Sequence, residues 1–141
     1  MATRHLSLRI DEETFERLSR QGRSQGQSVS ETARTLLEEG LRQHDHPLIT
    51  FRGGPAGRRA GVIGGPDVWE IVRVLRDRSS TDSVTLELAA SSLDLTTRQV
   101  EAALGYYADF PAEIDDWLAR VDDEAERAEA AWHRQQALLQ E

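Results

Sequence analysis

Leu6, Leu8 and Ile10 alternate with His5, Ser7 and Arg9 near the start of the chain. A period of two puts three apolar side chains on one face of an extended segment and three polar ones on the other. The period then lengthens. From Asp11 to Gly26 the pattern predicts a helix with Phe15 and Leu18 inward, Asp11 as its cap, and Glu12 and Glu13 in the first turn. Ser28 and Glu31 have the spacing of a capping box and open a second helix with Val29, Ala33, Leu36, Leu37 and Leu41 on one side. Pro47 ends it. Residues 48–65 read as two short extended pieces around a Gly/Pro turn at 53–57. Pro66 suits the first position of a helix presenting Val68, Ile71, Val72 and Leu75, with Trp69 beside them. A short helix is expected at 83–93. Another at 94–110 is capped by Thr96 and Gln99 and turns Val100, Ala103, Leu104 and Tyr107 inward. Pro111 restarts the chain into a last helix that reaches Glu141. The predicted fold class is mainly α, in three parts: a strand–helix–helix unit at 1–44, a small helical domain with a short hairpin at 45–120, and an acidic amphipathic helix at 121–141.

One strand is not stable alone in water, and about 45 residues bury too little surface for a self-sufficient core. A homodimer answers both needs. The strand pairs antiparallel with its symmetry mate, Leu6, Leu8 and Ile10 close a shared core, and His5, Ser7 and Arg9 of each chain project from a two-stranded ribbon. Such a ribbon fits the major groove of duplex DNA, where arginine reads guanine and serine or histidine donates or accepts. Arg4 suits a backbone phosphate, which positions without specifying. The other reading makes residues 3–10 an ordinary edge strand and the Ser28–Glu31 box a cap alone, but it leaves the strand without a sheet.

The stretch "RHLSLRIDEETFERLSRQGRSQGQSVSETARTLLEEGL" resembles the ribbon–helix–helix (Arc/MetJ/CopG) repressor family over residues 3–43. The likeness rests on the alternating strand, the acidic helix start, and "GQSVSE", which is similar to that family's Gly-x-Ser-x-Ser-Glu turn. It implies operator DNA as ligand and a phosphate held by backbone N–H groups of Ser28, Val29 and Ser30. Helix N-termini favour anions on physical grounds as well.

Residues 48–120 resemble the bacterial family called domain of unknown function 433. The motif residues are Gly57, Arg59, Gly64, Val68, Trp69 and Ile71, then Leu95, Val100, Ala103, Leu104, Tyr106 and Tyr107. The resemblance implies a winged-helix-like fold and a role as antitoxin to PIN-type ribonucleases. Read from its residues, 66–110 is compatible with a helix-turn-helix that offers Thr96, Thr97, Arg98 and Gln99, with Arg58 and Arg59 on a wing-like hairpin. Glu87, Asp94 and Glu101 would repel phosphates there. The alternative is a packing or dimerisation module with Trp69, Tyr106 and Tyr107 in or near its core.

Charge separates the two ends of the chain. The 141 residues carry a net −8, yet residues 1–10 hold Arg4 and Arg9 and no acid, while residues 112–141 hold nine acids against three arginines. From Ile114 a 4-3-4-3 spacing runs through Leu118, Val121, Ala125, Ala128, Trp132, Gln135 and Leu139. A projecting acidic helix with Trp132, Leu138 and Leu139 on its surface suits a groove on another protein, and a PIN-like ribonuclease, whose acidic metal site is ringed by basic RNA-binding surface, offers one. A solvated or self-associating tail is the alternative. There are no cysteines, which removes disulfides and thiolate chemistry. His44–Asp45–His46 reads as a solvated linker more readily than as a metal site, and no nucleophile, base and oxyanion donors converge, so a non-enzyme without cofactor is expected. No apolar run approaches the ~20 residues of a membrane span, and a cytoplasmic protein is the default. The sequence thus favours an antitoxin that represses its own operon and neutralises a PIN-like ribonuclease toxin. The runner-up is a stand-alone ribbon–helix–helix regulator with a ligand-sensing or dimerising second domain, and a third reading is a structural adaptor.

Overall fold

Capping residues bound the first helix at both ends and set the start of the second. In the computed structural model, which describes residues 2–79 and 85–140, helix α1 spans Glu12–Gln25. The Asp11 carboxylate accepts the Thr14 backbone N–H at 2.7 Å, with Glu12 and Glu13 in the favourable first turn. Hydrogen bonding from Thr14 holds the Asp11 carboxyl below its ordinary value of 3.8. Gly26 closes α1 in the left-handed conformation at φ 65°, a turn that glycine adopts without strain. Helix α2 follows at Val29–Asp45. Gly22 of α1 is buried where the turn folds back, and a Cβ there would lie 2.7 Å from the Gln27 carbonyl and 2.8 Å from the Thr32 hydroxyl.

The chain divides into two compact units, Met1–His44 and Asp45–Glu141. Among the described residues, none of the first contributes to the buried apolar core. Leu6, Leu8, Ile10, Phe15, Leu36, Leu37 and Leu41 are exposed, and Leu18, Val29 and Ala33 are only half-buried. The Gln27 side-chain oxygen is buried with no donor among the described residues, an unmet cost for a finished fold.

The second unit opens with a hairpin of β1 (Ile49–Arg52) and β2 (Arg59–Val62), antiparallel, Ile49 opposite Val62 and Arg52 opposite Arg59. Helices α3 (Val68–Ser79), α4 (Leu86–Leu93), α5 (Thr97–Asp109) and α6 (Pro111–Leu139) complete it. The hairpin packs on α3 and α5, and α3, α5 and the start of α6 pack on one another. Ile49, Val62, Val68, Ile71, Val100, Ala103, Tyr106, Ile114 and Leu118 lie in one buried cluster. Helix α4 is capped by Thr85 and ends with Asp94 left-handed at φ 55°, and Thr96 and Gln99 form the capping box expected for α5. Helix α6 runs unbroken past residue 120.

Three expectations shift. The helix expected from Pro66 begins at Val68, because the Pro66 carbonyl is used by the Val62 N–H at 3.0 Å. In α5 the inward aromatic is Tyr106, not Tyr107, and Leu104 is 36% exposed. Tyr106 wins because the rings of His46, Phe51 and Phe110 surround it, and its hydroxyl donates to Glu113 at 2.5 Å. The expected start of the short helix at Ser83 and the end of the last helix at Glu141 lie outside the described residues. The observed class is mainly helical, six helices and one two-stranded antiparallel sheet among the described residues. None of these helices is long and apolar enough to cross a membrane.

Candidate functional site

Residues 2–10 carry no strand pairing within the chain. Leu6, Leu8 and Ile10 are 69%, 63% and 44% exposed, so the apolar face of the alternation has nothing to cover it in a single copy. On the opposite face the His5 Nε2 lies 3.0 Å from the Ser7 hydroxyl, so these two side chains share one side of the segment. Arg9 is exposed. Thr3, Arg4 and His5 line an open concavity of about 560 Å³ together with Arg34 from α2.

At the start of α2 the capping box is closed in both directions. The Ser28 hydroxyl accepts from the Glu31 N–H at 3.1 Å, and the Glu31 carboxylate accepts from the Ser28 N–H at 3.1 Å. Ser28 is therefore occupied as a cap. The N–H groups of Val29 and Ser30, the next two in the helix, have no acceptor among the described residues. Of the three residues expected to hold a phosphate, those two retain free donors.

In the second unit the candidate cations are differently placed. Arg59 is not a free wing residue. Its guanidinium is paired with the buried Asp67 carboxylate, which also accepts from Arg52 at 2.9 Å and from the Trp69 indole at 3.3 Å. Arg52 donates in addition to the carbonyls of Val62 at 2.8 Å and Gly65 at 2.7 Å. The Arg52 guanidinium crosses directly over Gly61, where a Cβ would come within 2.6 Å of it. This network ties the hairpin to the head of α3 and was missed in the sequence, because a turn separates each arginine from Asp67. Arg58 folds back over the turn, with its guanidinium 3.6 Å from a Cβ placed on Gly53. Thr97 and Arg98 are exposed on the first turn of α5. Arg98 shares a cleft of about 340 Å³ with Glu101, Asp45 and His46, so its charge faces acid. Gln99 donates to the Ile63 carbonyl at 3.1 Å and moors α5 to the hairpin.

His46 lies 2.8 Å from an Asp109 carboxylate oxygen and packs edge-on against Tyr106 and Phe110. Among the described residues no three His, Asp or Glu side chains gather in a way that could hold a metal ion.

Helix α6 is pinned at its base and bare beyond it. Asp115 receives the Tyr107 hydroxyl at 2.8 Å and is paired with Arg76. Hydrogen bonding from Tyr107, with Arg76 adding to it, holds the Asp115 carboxyl below its ordinary range, and the same bond to Asp115 pushes the Tyr107 phenol up. Arg73 pairs with Asp122, and Arg120 stacks 4.4 Å from the Trp117 ring. Past Val121, among the described residues, only Ala131 and Gln136 are partly covered. Trp132, Leu138 and Leu139 are 54%, 73% and 79% exposed. At 3.6 residues per turn Trp132 and Leu139 fall within about 20° of one another, in line with Ile114 and Val121, whereas Leu138 lies about 120° from Trp132. The three do not share a face.

Comparison with family models, with curated proteins and with solved structures gives no match to this chain.

Proposed function

We propose that the chain is a DNA-binding antitoxin that represses its own operon and neutralises a PIN-like ribonuclease. One observation carries the first half. The N-terminal unit has an α1 capped at both ends, an α2 capped at its start and no buried apolar core of its own among the described residues, and it opens with an alternating segment whose apolar face is bare. Burying that face is worth roughly 25 cal/mol per Å² of apolar area, and the same face of a second copy satisfies it symmetrically. In this reading residues 5–10 of two chains pair antiparallel as the ribbon of a ribbon–helix–helix dimer. His5, Ser7 and Arg9 then enter the major groove, and Val29 and Ser30 receive a phosphate.

The second unit acts as a winged-helix-like packing module. The engagement of Arg59 by Asp67 and the acids beside Arg98 favour that role over a second DNA surface. The tail past Val121 supplies the ribonuclease contact, with Trp132 and Leu139 as the apolar line between acidic flanks.

Two experiments test the two halves. In a gel shift with the DNA upstream of the reading frame, Arg9→Ala and Ser7→Ala should lose preference for that DNA over a scrambled duplex; unaltered preference would sink the ribbon assignment. Trp132→Ala or deletion of 123–141 should spare DNA binding and abolish co-purification with the product of the adjacent gene. If co-purification survives both changes, the tail is not the ribonuclease contact. The cleft holding Arg98, Glu101 and Asp45 favours a second reading, a stand-alone regulator whose second unit senses a small zwitterion. Shifted DNA affinity on adding free amino acids, with no protein partner present, would favour it.

A further inference from the structure

The concavity formed by Thr3, Arg4, His5 and Arg34 has a charge that the ribbon reading does not use. Arg34 stands on the exposed side of α2, one turn beyond Ser30. Its neighbouring acids are already committed. Glu31 closes the capping box on Ser28, and Glu38, one turn further on, pairs with Arg42 at 3.0 Å. Neither Arg4 nor Arg34 has an ion-pair partner among the described residues. Two guanidinium groups brought to one open hollow repel one another unless an anion lies between them. Planar guanidinium forks are matched to phosphate oxygens, and the Thr3 hydroxyl adds a donor at the rim.

We propose that this hollow is a second backbone-phosphate site, with Arg34 and Arg4 gripping a phosphodiester next to the one received by the Val29 and Ser30 N–H groups. It rests on the DNA-binding reading and deepens it. Arg34 stands one helical turn beyond Ser30, a backbone rise of ~6 Å, so its long side chain and the free N–H groups serve the same end of α2. A site of this kind adds affinity without sequence preference, whereas Arg9 adds preference.

The test uses the full chain with two duplexes, the DNA upstream of its own reading frame and a scrambled duplex of the same length, across a series of NaCl concentrations. Sedimentation and circular dichroism of each variant establish that assembly and helix content match the wild type. Arg34→Gln should weaken binding to both duplexes by the same factor. It should also lower the slope of log K against log salt by about 0.9 for each phosphate that is no longer neutralised. Arg34→Lys should restore most of the slope, and Arg34→Glu should weaken both duplexes further. An unchanged slope in Arg34→Gln, with Arg9→Ala still erasing preference, overturns the phosphate site and leaves the DNA-binding reading standing. A loss confined to the upstream duplex also overturns it, because Arg34 would then be reading bases. Wild-type protein that binds neither duplex overturns the site and the DNA-binding reading together.

Discussion

The two units are built by different means from one chain. Residues 45–141 bury Ile49, Val62, Ile71, Val100, Tyr106 and Ile114 in one cluster within a single copy of the chain. Residues 1–44 are at least as well specified locally, with a capped α1, a left-handed glycine stop and a reciprocal capping box on α2, yet among the described residues they bury no large apolar side chain. The difference separates what caps can do from what a core does. A cap places a helix end and contributes about 1 kcal/mol; it does not offset the conformational entropy of some forty ordered residues. The first unit therefore has its helix starts defined by its own sequence, and under the proposed ribbon dimer its stability would come from a second copy.

The sharpest way to break that contrast is Leu8→Asp. Charge on the bare apolar face should abolish dimers and remove protection from α1 and α2, while the unfolding midpoint of the second unit stays unchanged. Simultaneous loss of both units would show that they form one cooperative structure. Ile71→Ala tests the other side. A buried isoleucine in the second core should cost about 2–5 kcal/mol, and the loss in urea titration should be the same at every protein concentration. Asp67→Ala comes next, because it strands Arg52 and Arg59. Those guanidinium groups are 32% and 30% exposed, so water softens the penalty to about 2–3 kcal/mol, below that of a fully buried pair. Its effect should fall on the hairpin, read as faster amide exchange at 49–62.

The smallest effect is one of pH. Asp11 in the first unit and Asp115 in the second are both held below their ordinary value of 3.8. A lowered carboxyl adds stability that is present above that value and lost as pH falls through the folded one. Acid titration should therefore loosen the start of α1 and the base of α6 below about pH 3.8. The substitution Asp11→Asn, which keeps an equally good cap but does not titrate, should remove the acid response of α1 alone.

How far the sequence could be read follows the same divide. The ends of α1, α2 and α5 were legible because Asp11, Ser28 with Glu31, and Thr96 with Gln99 act within four residues of themselves. Tyr106 and Tyr107 are adjacent at a helical phase where either could face inward. The choice is made by His46, Phe51 and Phe110, which arrive from other elements. Arg59 read as a wing cation for the same reason. Its partner Asp67 lies beyond a turn and looks like an ordinary helix start. Arg34 fell on the polar side of an amphipathic helix, where periodicity assigns nothing; only the fold brings it to Arg4 and His5. In the tail, Leu138 and Leu139 are neighbours in sequence, and helix geometry alone separates their faces.

Amide hydrogen exchange on the full chain over a dilution series tests the central claim most directly. If the first unit takes its core from a second copy, protection across residues 5–45 should fall as the protein is diluted through the dimer dissociation constant, and protection across 49–118 should not move. Equal protection of α1 and α2 in a sample shown by sedimentation to be monomeric would contradict it.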